Sequence, residues 1–506
     1  MITTPAKTEQ ELLRLRAELW LDRLYLWAAF LLLPLVIHRG YLDITETKTL
    51  FFVIVSAVYL VGRAVCFIQF SAPGERPVLL RGPGETAAVC FCVISLLSSI
   101  GSGFFRDSML GPGGRWQGTA MFLLYALLYF ALRGRQVRDQ DVLLPLCAGL
   151  FLTGLLAIAN HLGADPLGIV GEISVRDRER YISTLGNINF AGAYISLTLP
   201  AAAWYLLRSE KRGERLALGA VCITGLWAAM AVRSESAVLG VGAGALILPF
   251  TLRRESAALR RWGLLAIGIA VSMQLYGAAV RLSGGWLSAL TGAALHPAVS
   301  GAIALAGAAW YCLLGKNKGE ERKALRIYGS CLAAAAAVGV GLLAALNTVW
   351  RDADLGAAEA WLHFSDAWGT DRVMIWRHCL GFYRRYIPWD KLFGGGCGIL
   401  AVLDAADRLF PDAVLDAAHC EYLQILLNWG ALGLLSYLGW LGASAAEAFA
   451  RNKSPLSMAM TAGLAAYAVQ AAVNIAQAPG ITLFFLMLAL QRSKAVNGTE
   501  NGTEIE

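Results

Sequence analysis

A succession of apolar runs, each about as long as a bilayer is thick, constrains this chain more than any other feature of its sequence. A helix needs about 20 mainly apolar residues to cross the hydrocarbon core, and runs close to that length recur along the chain. The pattern predicts an all-α fold, a polytopic transmembrane helical bundle with about 12–14 spans. The candidate helices lie near 22–38, 48–69, 86–101, 118–133, 142–161, 188–207, 214–232, 235–252, 262–281, 298–315, 326–347, 424–445, 455–475 and 479–492.

The composition supports a membrane protein rather than a soluble one. Hydrophobic residues make up 57% of the chain and charged residues only 16%, whereas soluble domains carry about 25% charged residues. The formal net charge of +7 would by itself suit a nucleic-acid partner. In a membrane protein, however, the placement of lysine and arginine matters more than their sum, so we expect no nucleic-acid partner.

The distribution of basic residues predicts the orientation of the bundle. With the N-terminus in the cytoplasm, most of the 43 basic residues fall on short cytoplasmic connections, as the positive-inside bias requires. Most basic residues left on the outer side lie in two loops, at about 162–187 and 348–420. A basic cluster there opposes the bias, so we expect these loops to bind a ligand; a simple solvated loop is the alternative.

These boundaries divide the chain into four parts. Residues 1–347 form about eleven N-terminal spans, which include the outer loop 162–187. Residues 348–420 form a large extracytoplasmic loop with short helices, which we expect to be catalytic. Residues 421–494 form the C-terminal transmembrane helices, and the polar tail 495–506 is predicted to be disordered.

His419 is the strongest candidate for a general base. It directly precedes an amphipathic helix start and is followed by Glu421 and Tyr422. An imidazole with an unperturbed pKa of about 6.5 can accept a proton from an acceptor hydroxyl near neutral pH. A structural histidine at the membrane interface is the alternative.

Two arginines are candidates for holding an anion. Arg372 lies in the stretch DRVMIW of the second loop, close to an aromatic and apolar helix face, and Arg233 lies in a very short outer turn between two apolar spans. A guanidinium binds phosphate through a planar fork of donors and keeps its charge, and a charge at that depth usually faces a cavity or a partner. The alternatives are structural ion pairs with Asp371 and with Glu235.

The glycine-rich segment GGGCG, from Gly394 to Gly398, allows a sharp turn or a close backbone approach to a ligand. It lacks the preceding strand and following lysine of a nucleotide-binding P-loop, so we reject ATP binding. The ten cysteines form no CxxC pair and no Cys/His cluster, so we predict no metal site of that kind.

Three stretches taken together resemble one family. They are ERYISTLGNINFAGAYISLTLP, the RSES turn, and RVMIW with KLFGGGCG and AHCEYLQILLNWGALGLL. They resemble the O-antigen ligase and polymerase superfamily of bacterial polytopic membrane glycan ligases, which includes protein O-oligosaccharyltransferases. The most specific part is His419 with the Glu-Tyr-Leu-Gln that begins two residues later, at Glu421.

The resemblance implies a metal-independent, inverting glycosyltransferase without a cofactor. Such an enzyme takes a glycan from undecaprenyl diphosphate on the extracytoplasmic side of the bacterial cytoplasmic (inner) membrane. Arg233 and Arg372 fall on the family's two diphosphate-binding arginines, and His419 falls on the histidine that activates the acceptor. Further candidates for substrate binding in the matching stretches are Arg180, Asn187, Asn189, Arg377, Glu421 and Tyr422.

Other functions remain open at this point. The acceptor is a glycan, a lipid or a protein, and the second superfamily activity is polymerisation of repeat units on the lipid carrier. In a different class, a transporter of lipid-linked glycans would carry ionisable residues at mid-membrane, often in related halves of the chain. Arg63 is the main such residue in this sequence.

Overall fold

A computed structural model describes residues 9–70, 80, 82–316, 319–451 and 454–495. The tail predicted at 495–506 lies outside these residues except for Ala495. Lys494–Ala495 pairs in parallel with Gln136–Val137, so the start of that tail is held in a short strand.

Helices dominate the described residues, and a second two-residue ladder joins Tyr181–Ile182 to Gly186–Asn187. The all-α prediction is therefore confirmed. The longer helices are Glu9–Trp27, Ile44–Phe70, Pro83–Gly101, Thr119–Leu132, Asp139–His161, Ile188–Arg208, Arg212–Ala231, Glu235–Thr251, Ser256–Leu282, Pro297–Lys316, Glu321–Thr348, Trp368–Arg385, Glu421–Arg451, Pro455–Ala471 and Gly480–Leu490. The short ones are Leu33–Leu35, Phe105–Leu110, Arg178–Arg180, Ala289–Ala294, Gly356–Ala358, Glu359–Leu362, Pro388–Phe393 and Ile399–Ala406.

Within the described ranges, nine helices are long and apolar enough to cross a membrane, and three shorter apolar helices accompany them. Each of the fourteen predicted segments overlaps a helix. The first helix starts earlier than predicted, at Glu9, and continues through a π-helical turn at Ala28–Leu32. The number of crossings stays a prediction.

The helix Ile188–Arg208 lies at the core of the bundle. Of the residues in its apolar stretch, 83% are buried inside the protein. Glycine allows neighbouring helices to approach its backbone closely. A Cβ atom on Gly463 would lie 2.1 Å from the carbonyl oxygen of Leu197, and one on Gly240 would lie 2.3 Å from Ser196 Oγ. Small residues at such contacts are a common basis of helix packing in membranes.

Successive helices run in opposite directions, so the segments that connect them lie at two opposite ends of the bundle. Polar contacts between connecting segments occur at both ends. We call the end with loops 162–187 and 348–420 the outer end, following the predicted orientation. At the other end, Arg133 and Arg492 both bind the buried carboxylate of Glu85, and Arg492 Nη2 lies 2.8 Å from Glu447 Oε2. These ion pairs tie together helices that are far apart in sequence.

A second ion-pair network lies at the same inner end and includes Arg63. Its guanidinium lies 3.3 Å from Glu18 Oε1, and Arg135 lies 2.7 Å from Glu18 and 3.0 Å from Asp22. The carboxylate of Glu18, in the first helix, thus neutralises the charge of Arg63, as expected for an arginine with a structural role.

Candidate active site on the outer end

The turn Val232–Ser234, here called the arginine turn, projects Arg233 from the outer end. It links a helix that ends at Ala231 to one that begins at Glu235. Arg233 Nη2 donates to the carbonyl oxygen of Glu179 at 3.2 Å, and the guanidinium carbon lies 4.5 Å from the ring centroid of Trp286. Loop 162–187 therefore covers this arginine.

The alternative of a structural ion pair between Arg233 and Glu235 is not what the described residues show. Arg233 Nη1 lies 3.9 Å from Glu179 Oε1, an exposed carboxylate, while Glu235 Oε1 accepts a hydrogen bond from the Leu290 amide at 3.4 Å. Burial lowers the pKa of Arg233, and the charge of Glu179 opposes that shift. The guanidinium still keeps its charge at neutral pH.

Arg372 begins the regular part of the helix Trp368–Arg385, here called the loop helix. The three residues before it, Gly369 to Asp371, have left-handed backbone angles that kink the helix. Arg372 Nη1 donates to the carbonyl oxygen of Gly369 at 2.5 Å, which holds the side chain against this kink. Burial lowers its pKa, and the carboxylate of Glu235 opposes the shift, so Arg372 lies within electrostatic reach of the residue that follows the arginine turn.

His419 lies in the segment Asp416–Cys420, here called the histidine turn, just before the helix Glu421–Arg451. Burial, together with the positive charges of Arg372 and Arg115, lowers the pKa of His419 to about 4, while the charge of Asp416 opposes this shift. The imidazole is therefore neutral at pH 7 and able to accept a proton. Arg372 is the link between the candidate base and the arginine turn, because it acts on both His419 and Glu235.

Both candidate arginines carry a buried donor atom that nothing in the described chain satisfies. Nε of Arg233 and Nε of Arg372 are buried and have no hydrogen-bond partner among the described residues. Buried polar groups in proteins are nearly always paired, and an exception calls for an explanation. A bound oxyanion would satisfy such a donor with a charge-assisted hydrogen bond.

Left-handed backbone conformations concentrate around the same residues. Among the described residues, six that are not glycine have positive φ, between 50° and 66°. Two of them are Arg233 and His419 themselves, Thr370 and Asp371 precede Arg372, and Trp116 follows Arg115. Such conformations cost about 1–3 kcal/mol each and persist where the surrounding structure enforces them, often at functional sites.

Arg115 and Asp416 form a contact that was not predicted. Arg115 Nε and Nη2 each lie 2.6 Å from one carboxylate oxygen of Asp416, which makes a bidentate ion pair. Arg115 comes from the segment 102–118, which connects the helix Pro83–Gly101 to the helix Thr119–Leu132, and Asp416 belongs to the histidine turn. The pair joins these two segments beside His419.

Asn187 and Asn189 help to shape the site from the helix Ile188–Arg208. Asn187 Oδ1 caps this helix by accepting from the Asn189 amide at 2.9 Å. Asn189 Oδ1 accepts from Ser234 Oγ of the arginine turn at 2.7 Å, and its carbonyl oxygen accepts from Asn474 Nδ2 at 2.9 Å. The two asparagines thus hold the arginine turn in position; direct substrate binding by them stays a prediction.

The remaining predicted substrate-binding residues divide into two groups. Arg180 and Arg377 are exposed and form ion pairs with Asp177 and Asp366, respectively, so neither has the buried, unpartnered donor that Arg233 and Arg372 have.

Glu421 is buried, and its two carboxylate oxygens accept from Tyr437 at 2.5 Å and Tyr467 at 2.8 Å. Tyr422 donates to the carbonyl oxygen of Ala468 at 2.7 Å. Both residues anchor the helix that follows His419.

The glycine-rich segment packs against protein backbone. Gly395 N and Gly396 N donate to the carbonyl oxygens of Leu427 and Asn428 at 3.1 and 2.9 Å. These contacts lie where Gly430, with φ 69°, breaks the helix Glu421–Arg451. The backbone of this segment therefore makes its close approach to the break in the helix Glu421–Arg451.

With this geometry in hand, comparison of the chain with protein-family models and with curated proteins finds no match.

Proposed function

We propose that this protein is a membrane glycosyltransferase of the O-antigen ligase type. It would transfer a glycan from undecaprenyl diphosphate to an acceptor hydroxyl on the outer face of the bacterial cytoplasmic membrane. The observation that carries the proposal is that Arg233 and Arg372, which match the family's two diphosphate-binding arginines, each have a buried Nε atom without a hydrogen-bond partner in the described chain. An oxyanion would pair with such donors. The motif resemblance supplies the chemistry, and the electrostatic effect of Arg372 on His419 supports a base close to one of these arginines.

The reaction needs little more than positioning and charge stabilisation. The acceptor oxygen attacks the anomeric carbon while the bond from that carbon to the diphosphate oxygen breaks, and the diphosphate leaves with the bonding electron pair. Arg233 and Arg372 bind the negative charge that develops on the leaving group. His419 takes the proton of the acceptor hydroxyl, and attack on the face opposite the leaving group inverts the anomeric configuration.

The low pKa of His419 fits a base that becomes stronger when the donor binds. In the unliganded protein, the charges of Arg372 and Arg115 add to burial in favouring the neutral imidazole. A diphosphate bound by Arg372 would offset much of this positive field. The pKa of His419 would then rise toward neutral pH, where a base transfers protons most effectively.

Transfer assays with purified variants test this proposal. We expect His419→Ala and Arg372→Ala to lose at least 100-fold in transfer of a labelled glycan from undecaprenyl diphosphate, while both remain folded in membranes. His296→Ala, an exposed histidine of another outer segment, is the matched control and should keep wild-type activity. Full activity of both site variants would reject the assignment.

The same assay separates the second superfamily activity from the first. A polymerase lengthens the glycan while it stays on the lipid carrier, whereas a ligase moves it to a different acceptor. Movement of the lipid-linked glycan across vesicles without a new glycosidic bond would instead support a transporter.

A further inference from the structure

A cavity of about 50 Å³ lies behind the histidine turn, and no step described above uses it. Its solvent-facing side is formed by Arg115 and Asp416, which are partly exposed. Its deeper lining includes Gln117 and Gln477, of which only 8% and 2% are exposed. We call it the glutamine cavity.

Two buried polar atoms of residues in the lining have no hydrogen-bond partner in the described chain. Gln117 Oε1 accepts from Tyr125 at 2.8 Å, which fixes the amide plane, but Gln117 Nε2 is buried and has no partner among the described residues. Gln477 Oε1 is buried and unpartnered within the same ranges. The cavity thus offers one hydrogen-bond donor and one acceptor, both neutral.

The polar side chains that form the other walls are held by hydrogen bonds within the protein. Glu421 is held by two tyrosines, and Gln424 Oε1 accepts from the Ala418 amide at 2.8 Å while its Nε2 donates to Asn428 at 3.1 Å. The buried ring of Trp429 contributes an apolar surface. A neutral donor and acceptor beside an apolar ring match a sugar, whose hydroxyls both donate and accept and whose C–H groups are apolar.

We propose that the glutamine cavity binds one hydroxyl-bearing edge of a neutral sugar ring, with Gln117 Nε2 donating to it and Gln477 Oε1 accepting from it. The volume suits a few water-sized groups, such as a hydroxymethyl group, rather than a whole pyranose. This inference rests on the proposed glycan transfer and adds the residues that recognise the sugar. Since Asp416 and Ala417 line the cavity, the bound sugar lies directly behind the turn that carries His419.

Ligand-observed NMR on the full-length protein in nanodiscs tests the inference. The probes are the methyl glycosides of glucose, galactose, mannose and N-acetylglucosamine. We expect wild-type protein to bind at least one of them, and Gln117→Met and Gln477→Met each to weaken binding by about threefold to tenfold, the value of one hydrogen bond to a neutral group. No binding to wild type, or equal binding by all variants, would overturn the proposal.

Gln491→Met is the matched control. Gln491 is also buried, and its Oε1 likewise lacks a partner in the described chain, but it lies at the inner end near Thr461. We expect it to bind glycosides as wild type does. If a site variant fails to fold, mono-deoxy forms of the bound glycoside replace it as the test on wild-type protein. Loss of one hydroxyl should weaken binding by the same factor, and equal binding of every deoxy form would overturn the proposal.

Inorganic pyrophosphate, added to the same samples, separates this inference from the proposed function. Pyrophosphate binding depends on the arginines and not on the glutamines. If wild type binds pyrophosphate but none of the glycosides, only the sugar inference fails. If it binds glycosides but no pyrophosphate, the diphosphate assignment fails while the sugar inference stands.

A synthetic glycosyl diphosphate with a short prenyl chain identifies the source of the sugar. Displacement of the methyl glycoside by this compound would place the donor sugar in the cavity. Binding of both together would place the acceptor sugar there. Either result supports the proposal.

Discussion

Arg115 and Asp416 lie 301 residues apart in sequence and form a bidentate ion pair beside His419. The pair fixes the histidine turn to the segment 102–118 and sets two opposing charges near the imidazole. Arg115 lowers the pKa of His419 and Asp416 raises it. The position of the turn and the basicity of the candidate base thus depend on one contact.

Substitution of Arg115 and substitution of Asp416 should shift the pH dependence of transfer in opposite directions. Arg115→Ala removes a positive charge, so the pKa of His419 rises and the acidic limb of kcat moves to higher pH. Asp416→Asn removes a negative charge, so the limb moves to lower pH. The double variant should return toward wild type, and shifts of the same sign in both single variants would contradict the assignment.

Donor binding should raise the pKa of His419, because a diphosphate offsets the charge of Arg372. The acidic limb of kcat/KM reports the free enzyme, where the pKa of His419 is about 4. The limb of kcat reports the donor complex. We therefore expect activity to fall on acidification at a higher pH in kcat than in kcat/KM. Coincident limbs, or the reverse order, would show that the diphosphate does not act on this base.

Part of this arrangement was predictable from local sequence. Hydropathy predicted a helix at each of the fourteen segments, since a membrane-spanning helix must be apolar over most of its length. The arginine turn was visible because Arg233 interrupts an apolar run, and His419 because it precedes the next one. In each case the signal lies within a few residues of the feature.

Gly430 provides a stability test of the helix break beneath the site. A Cβ atom at Gly430 would lie 2.3 Å from the carbonyl oxygen of Leu392, and its φ is 69°, so Gly430→Ala is expected to cost about 3 kcal/mol or more. Gly442 lies in the same helix with nothing within 4 Å of its Cβ position. Gly442→Ala should leave the melting temperature in detergent unchanged or raised. Equal melting temperatures for the two variants would contradict the packing described.

Glu85 provides a second stability test, at the inner end. Its carboxylate is fully buried and binds Arg133 and Arg492, so Glu85→Gln should lower the free energy of unfolding by about 3 kcal/mol. Glu214, in an exposed pair with Lys211 at 3.4 Å, is the matched control, and its change to Gln should cost less than about 1 kcal/mol. Melting temperatures in detergent compare the two. A larger loss from the surface pair would contradict the network.

The rest could not be predicted because it depends on contacts between distant segments. Nothing near Arg115 in sequence indicates that its partner is Asp416, and the glycine-rich segment matches a ligand-binding turn as well as it matches a helix break. Hydropathy likewise cannot show that Gln117 and Gln477 face one cavity. Arg372 and Arg377 both look suitable for phosphate, and only the structure shows that Arg372 is half-buried whereas Arg377 is exposed.

This difference in burial between Arg372 and Arg377 gives the most direct test of the central claim, that Arg372 holds the donor diphosphate next to His419. The measurement is the affinity of the full-length protein in nanodiscs for inorganic pyrophosphate, by titration calorimetry. We predict that Arg372→Ala weakens binding at least tenfold, because a charge-assisted contact is worth about 1.5–3 kcal/mol, whereas Arg377→Ala, in an exposed pair with Asp366, changes it less than twofold. Equal losses in both variants, or a larger loss for Arg377→Ala, would contradict the account.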